Sequence, residues 1–223
     1  MNVISFSLWG NKPMYLVGAI ENIKLAKEIY PGWKCRFYLD SSVPSDMKGK
    51  IEEQGGEVVF IQKTLGAFHG MFWRFMTYDD PKVDIFISRD CDSRLNYREQ
   101  LAVEEWLASG KGLHTMHDHP NHKPTPILGG MWGMRKGAFK YNLTEKIAQW
   151  KLYGNKGIDQ EFLRYIVWPE MINNVLRHDG IGFIKWGVFN RFPSHPPLKF
   201  GGKYVGQIFD ENNKPLPACP GME

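Results

Sequence analysis

Cysteine is scarce in this chain. Cys35, Cys91 and Cys219 are spread over 223 residues. They are too few and too far apart for a disulfide framework or a zinc ribbon. Reduced thiols in a reducing compartment, the cytoplasm, are the expectation. A charge excess is missing too: 28 Lys and Arg against 24 Asp and Glu leave a net +4. The basic residues are scattered, not gathered in a stripe, which argues against a nucleic-acid binder and suits an anionic small ligand. No run approaches the roughly 18 apolar residues of a membrane span. The opening MNVISFSLWGNKP lacks the basic start and long apolar stretch of a signal peptide and reads as a first strand. Repeats, low-complexity blocks and domain linkers are not visible. Disorder is excluded by a hydrophobic content of 43%. Aromatic residues are plentiful: 8 Trp, 14 Phe and 9 Tyr can furnish both a core and a site that handles rings or sugars.

The first 90 residues alternate between two periodicities. Strands are predicted over 3–8, 34–40, 57–62 and 83–89. Helices are predicted over about 13–30, 44–54 and 68–78. In the first helix Pro13 suits the first turn, Tyr15, Ala19, Ile23, Ala26 and Tyr30 share a face, and Pro31-Gly32 stops it. In the third, Phe68, Phe72, Phe75 and Met76 share a face and Arg74 points away from it. This order implies an α/β fold with a largely parallel sheet and helices on both faces. The second half is less regular. It holds a helix over 96–110 with a capping box at Asn96 and Glu99, a short strand over 113–116, and a strand over 128–134 interrupted by glycines. Helices over 138–150 and 159–167 follow, and from 193 onward a Pro/Gly-rich tail wraps the surface.

The fourth strand runs straight into Asp90-Cys91-Asp92. Ligands of open α/β sheets bind beyond the carboxyl ends of the strands. Residues i and i+2 of an extended segment point the same way, so both carboxylates can converge on one hard cation, Mg²⁺ or Mn²⁺. Such a cation would bridge to the phosphates of a nucleotide and neutralise a departing diphosphate. A plain turn, with the aspartates paired to Arg89 and Arg94, competes with this reading.

Strand followed by Asp-x-Asp in an N-terminal nucleotide-binding half resembles the GT-A-fold glycosyltransferases. The longer stretch FISRDCDSRLNYREQLAVEEWLASGKGLHTMHDHPNH, followed by ILGGMWGMRKG, is similar to small glycosyltransferase-like proteins of bacterial polysaccharide clusters and large viruses. The resemblance spans about residues 1–210. It implies one GT-A domain, with a nucleotide-binding half near 1–95, a sugar and acceptor half near 96–192, and a tail over 193–223. The implied activity is transfer of a sugar from a UDP- or GDP-linked donor to a glycan hydroxyl.

The resemblance also implies roles. Ser7, Leu8, Trp9 and Gly10 would cup the base and ribose, although Trp9 could equally be core. Arg74 would face the donor, its fork suited to a carboxylate or phosphate. Asp90 and Asp92 would bind the metal. The loop of His117, Asp118, His119 and His122 would lie beside the donor sugar, with Asp118 accepting from hydroxyls. Zinc is not expected there, since a fourth ligand at a typical spacing is absent. Gly129, Gly130 and Trp132 would back the sugar, the alternative for Trp132 being a core position.

Asp159 opens a helix, either as its N-cap or as the general base that takes the acceptor proton; Glu161 and Asp118 are fallbacks. The stretch from His178 to Lys185-Trp186 loosely resembles an element of glycogenin-like transferases. His178 would be the third metal ligand, with His195 its rival, and Lys185 would touch the diphosphate. The sequon Asn142-Leu143-Thr144 is expected to be silent. Two other readings stay open: a sugar-phosphate nucleotidyltransferase, for which the loop SLWGNKP is poor in glycine and lysine, and a non-catalytic sugar-binding module.

Overall fold

The computed structural model describes residues 1–62, 69–150 and 157–217. Among them, seven strands form one sheet in the order β3-β2-β1-β4-β6-β5-β7. They are β1 (Asn2–Leu8), β2 (Lys34–Leu39), β3 (Glu57–Phe60), β4 (Ile85–Arg89), β5 (Leu113–His117), β6 (Trp132–Arg135) and β7 (Val175–Asp179). β6 runs antiparallel to β4 and β5, while every other pairing is parallel. The carboxyl ends of six strands therefore share one edge of the sheet.

Period-two alternation divides β1 between two cores. Ile4, Phe6 and Leu8 join the apolar cluster under α1 (Pro13–Ile29), α2 (Met47–Glu53) and α4 (Tyr97–Ser109). Val3 joins the cluster on the other face, with Phe72, Phe75, Phe86, Trp132 and Phe162. In α1, Pro13 occupies the first turn, and Ala19, Ile23, Ala26 and Ile29 are buried. In α4, Asn96 accepts from the Glu99 N–H, and Gly110 closes the helix at φ 71°, where a Cβ would be strained.

Four differences from the sequence-based expectation have local causes. The third helix is α only over α3 (Gly70–Trp73); a 3₁₀ stretch, Arg74–Asp79, follows. Arg74 opens this stretch and is buried, 6% exposed, with its guanidinium turned to Asp90 and Asp159. β6 begins at Trp132, because Leu128–Met131 closes a turn through Met131 N–H to Leu128 O. α5 is only Leu143–Gln149; Asn142 caps it by accepting from Glu145 N–H, which occupies the sequon side chain. β7 was not among the expected strands; it pairs with β5, and its Arg177, His178 and Asp179 are buried.

α6 (Ile158–Phe162), a π-helical turn (Leu163–Val167) and α7 (Trp168–Met171) lead into β7. No helix among the described residues is long and apolar enough to cross a membrane. Val205 and Phe209 are buried, so the last described segment packs on the domain. Phe68 and Cys219 lie outside the described residues.

Candidate functional site

The site is built at the carboxyl end of β4. Arg89, buried, donates to Glu99 of α4 at 3.1 Å and to the carbonyls of Ser88 and Trp132. That network fixes the strand's last residue. The chain then turns, with Ser93 Oγ donating to Asp90 O at 2.9 Å. Cys91 is buried at the bend, its thiol directed at Ser7 O. Burial, and then the charges of Asp92 and Asp90, push that thiol well above its usual range. α1 approaches the turn so closely that a Cβ at Gly18 would meet Cys91 O at 1.8 Å. A glycine inside an otherwise helical pattern was the only sequence signal for this contact.

Arg74 joins the two halves of the site. Its Nη1 donates to Arg89 O at 3.0 Å and to Asp90 Oδ1, and its Nη2 donates to Asp159 Oδ2 at 3.3 Å. Ser7 Oγ accepts from the Arg74 N–H, and Ser5 Oγ donates to Arg74 O. Small hydroxyl side chains on β1 thus let the Arg74 backbone press against the sheet. Ser7 and Leu8 are buried in this scaffold, whereas Trp9 remains 38% exposed, edge-on to Trp73.

Asp159 is not an N-cap. Gly157 holds that position at φ 99°, and the Asp159 carboxyl lies in the first turn facing Arg74. Burial raises its pKa, Arg74 opposes that rise, and the charge of Asp90 adds to it. Two glycines roof the cluster. A Cβ at Gly129 would come within 2.2 Å of Asp159 Oδ2, and one at Gly130 within 1.9 Å of Asp90 Oδ2. Ser88 Oγ pins the Gly129 carbonyl at 2.6 Å.

Other expected site residues lie elsewhere. Trp132 is fully buried between Phe75 and Phe86 and forms no wall for a sugar. Asp118 has both oxygens engaged by Arg98, at 2.7 and 2.6 Å, and Oδ2 also accepts from Val205 N–H. It anchors the last segment to α4. His178 uses one ring nitrogen with His114 and the other with Glu105, both at 2.9 Å, so no lone pair is left for a cation beside Asp90. His195 faces Arg98 and its own neighbour's carbonyl, Pro196 O. Lys185 lies over Trp186 in a groove beside the start of β7, away from the carboxyl end where Asp90 sits.

Among the described residues, no three His, Cys, Asp or Glu side chains gather as a ready metal cage. Asp90 and Asp92 nonetheless suit a hard divalent ion. The Asp90 side chain is 47% exposed, and its carboxylate lies directly against the Gly130 backbone, in the space a Cβ would fill. An ion held by one or two carboxylates takes its remaining ligands from water and substrate phosphate.

No protein-family model matches the chain, and no curated protein matches it in sequence. Solved structures match in fold. Mannosyl-3-phosphoglycerate synthase from Rubrobacter xylanophilus is similar at TM-score 0.52 and 12% identity, covering 87% of this chain and 68% of that one. Glucosyl-3-phosphoglycerate synthase from Mycobacterium tuberculosis, in complex with phosphoglyceric acid, gives 0.50 at 12% identity, covering 88% and 73%. The 4-diphosphocytidyl-2C-methyl-D-erythritolsynthase from Anaerococcus prevotii gives 0.49 at 10% identity, covering 84% and 88%. The first two are GT-A-type glycosyltransferases, and this chain has the same single-domain α/β architecture. At such identities the likeness speaks to the fold, and the chemistry must be argued from the site.

Proposed function

We propose that the protein is a divalent-metal-dependent glycosyltransferase. It would move a sugar from a UDP- or GDP-linked donor to a hydroxyl of a glycan acceptor. The observation that carries this reading is the convergence of Asp90, Arg74 and Asp159 beneath Gly129 and Gly130, at the carboxyl end of β4. Asp90 and Asp92 would hold Mn²⁺ or Mg²⁺, which when bound neutralises the charge on a leaving diphosphate.

The remaining roles fall to this chain's own side chains. Trp9, the exposed aromatic after β1, offers a face to the nucleotide base. The paired glycines let the Asp159 and Asp90 carboxylates lie against the backbone. Arg74 donates to both Asp90 and Asp159 and opposes the rise that burial imposes on the Asp159 pKa. Asp159 would accept the proton of the acceptor hydroxyl, helped by a pKa that burial has raised. The loop after β1 carries one glycine and one lysine, Gly10 and Lys12, and so lacks a triphosphate cradle for a nucleotidyltransferase.

Incubation with a panel of UDP- and GDP-sugars plus Mn²⁺ tests the reading through release of nucleoside diphosphate. Release by the native chain, and its loss in Asp159→Asn with donor binding kept, is the expected result. Pyrophosphate formed from a nucleoside triphosphate and a sugar phosphate would replace this reading with nucleotidyl transfer.

A further inference from the structure

A second surface lies beside the start of β7. There a groove of about 670 Å³ is lined by Trp168 and Trp186 together with Lys111, Arg177 and Lys185, and among the described residues by no acidic one. The loop that borders it leaves aliphatic side chains in water. Ile184 is 77% exposed and Val188 93%. Ile172 and Tyr165 are exposed on the neighbouring turns. Cations sit over the rings of the same face: Lys185 over Trp186 at 4.9 Å, Arg164 over Trp186 at 5.4 Å, and Arg191 over Phe189 at 5.3 Å. The segment 180–191 contains Lys185 and Arg191 and no acid. Glu170 of α7 is already paired with Lys140 at 2.7 Å, and Asp179 is buried.

Soluble proteins rarely leave large aliphatic side chains grouped this way without a partner. A second copy of this face would set like charges opposite each other, which disfavours self-association. A nucleic-acid backbone would satisfy the cations but leave Ile184 and Val188 with nothing apolar to bury. An anionic bilayer surface satisfies every element. Cations meet the headgroups, tryptophan sits at the interface, and aliphatic tips enter the acyl boundary.

We propose that this face docks peripherally on an anionic lipid surface, led by Ile184, Lys185 and Val188. Asp90 follows β4, which β6 and β5 separate from the β7 edge where this groove lies, so the groove is distinct from that site. Nothing in this inference depends on the donor chemistry.

The test is co-sedimentation of the full chain with phosphatidylcholine vesicles, with and without phosphatidylglycerol. Pelleting is expected only with phosphatidylglycerol, and salt should release the protein. Lys185→Ala should weaken binding about fivefold, the worth of one surface cation. The double variant Ile184→Ser, Val188→Ser should abolish pelleting at an unchanged melting temperature. Both residues are too exposed for the fold to need them. Absence of pelleting, equal pelleting on neutral vesicles, or indifference to these variants would overturn the proposal. So would loss of the surface to a nucleic acid or to a homodimer, read by gel shift and by light scattering.

Discussion

Arg74→Met removes a cation that two carboxylates share. Asp159 is 5% exposed at its side chain, and its Arg74 partner 7%. Truncating one member of a buried pair costs about 3–5 kcal/mol, because the other charge is stranded. Methionine keeps much of the packing against Phe75, whose ring lies 5.6 Å from the guanidinium carbon. The loss should therefore come chiefly from Asp159. Against a typical stability of about 5–15 kcal/mol the variant should still fold.

The pH dependence follows from the direction of the shift. Burial raises the Asp159 pKa above its ordinary value, and removing Arg74 takes away the main influence holding it down. Between the unfolded and the folded pKa the folded chain then binds the extra proton. Stability of the variant falls as pH rises through that window, and the gap from the native chain narrows in acid. Urea unfolding of the native chain, Arg74→Met, Asp159→Asn and the double variant at neutral and acid pH measures this directly. The double variant should recover about 1–3 kcal/mol relative to the sum of the single losses. Additive losses, or a gap that widens in acid, would refute the reasoning.

Two further outcomes follow. Gly130→Ala puts a methyl where Asp90 Oδ2 now sits 1.9 Å from the Cβ position, so the carboxylate must swing away; cation-dependent nucleotide binding should fall sharply while far-UV circular dichroism is unchanged. His122 Nδ1 accepts from the Asp118 and His119 N–H groups, and burial pushes its pKa down to about 3. Between that value and the usual 6.5 only the unfolded chain takes up the proton, so stability drops about 1.4 kcal/mol per pH unit on acidification. His114, His117 and His178 act in the same direction. His122→Asn should flatten the slope of urea midpoint against pH, and an unchanged slope would count against this assignment.

The first half of the fold was legible because its signals are local. Val3–Leu8 style apolar runs, Pro13 and Gly110 declare strands and helix ends with little help from tertiary contacts. The position of the acidic pair was legible for the same reason, since it follows directly on the hydrophobic strand β4. β7 was not, because Arg177, His178 and Asp179 are buried by partners distant in sequence: Gly187 O for Arg177, and His114 and Glu105 for His178. A motif match placed His178 at the metal and Lys185 at the diphosphate, but strand pairing carries His178 to the far edge of the sheet and Lys185 lies in the groove beside it. Arg74 was expected to point away from the apolar face of its helix; its burial against Asp90 and Asp159 was not legible, since it depends on where α-helix gives way to 3₁₀ winding. Trp132 shows the same ambiguity: a glycine-flanked aromatic reads alike in a site and in a core.

Calorimetric titration of UDP and of GDP, with and without Mn²⁺, into the native chain and Asp92→Ala tests the central claim most directly. The expected result is nucleotide binding that requires the cation and disappears in the variant. Binding indifferent to the cation and unchanged by Asp92→Ala would contradict it.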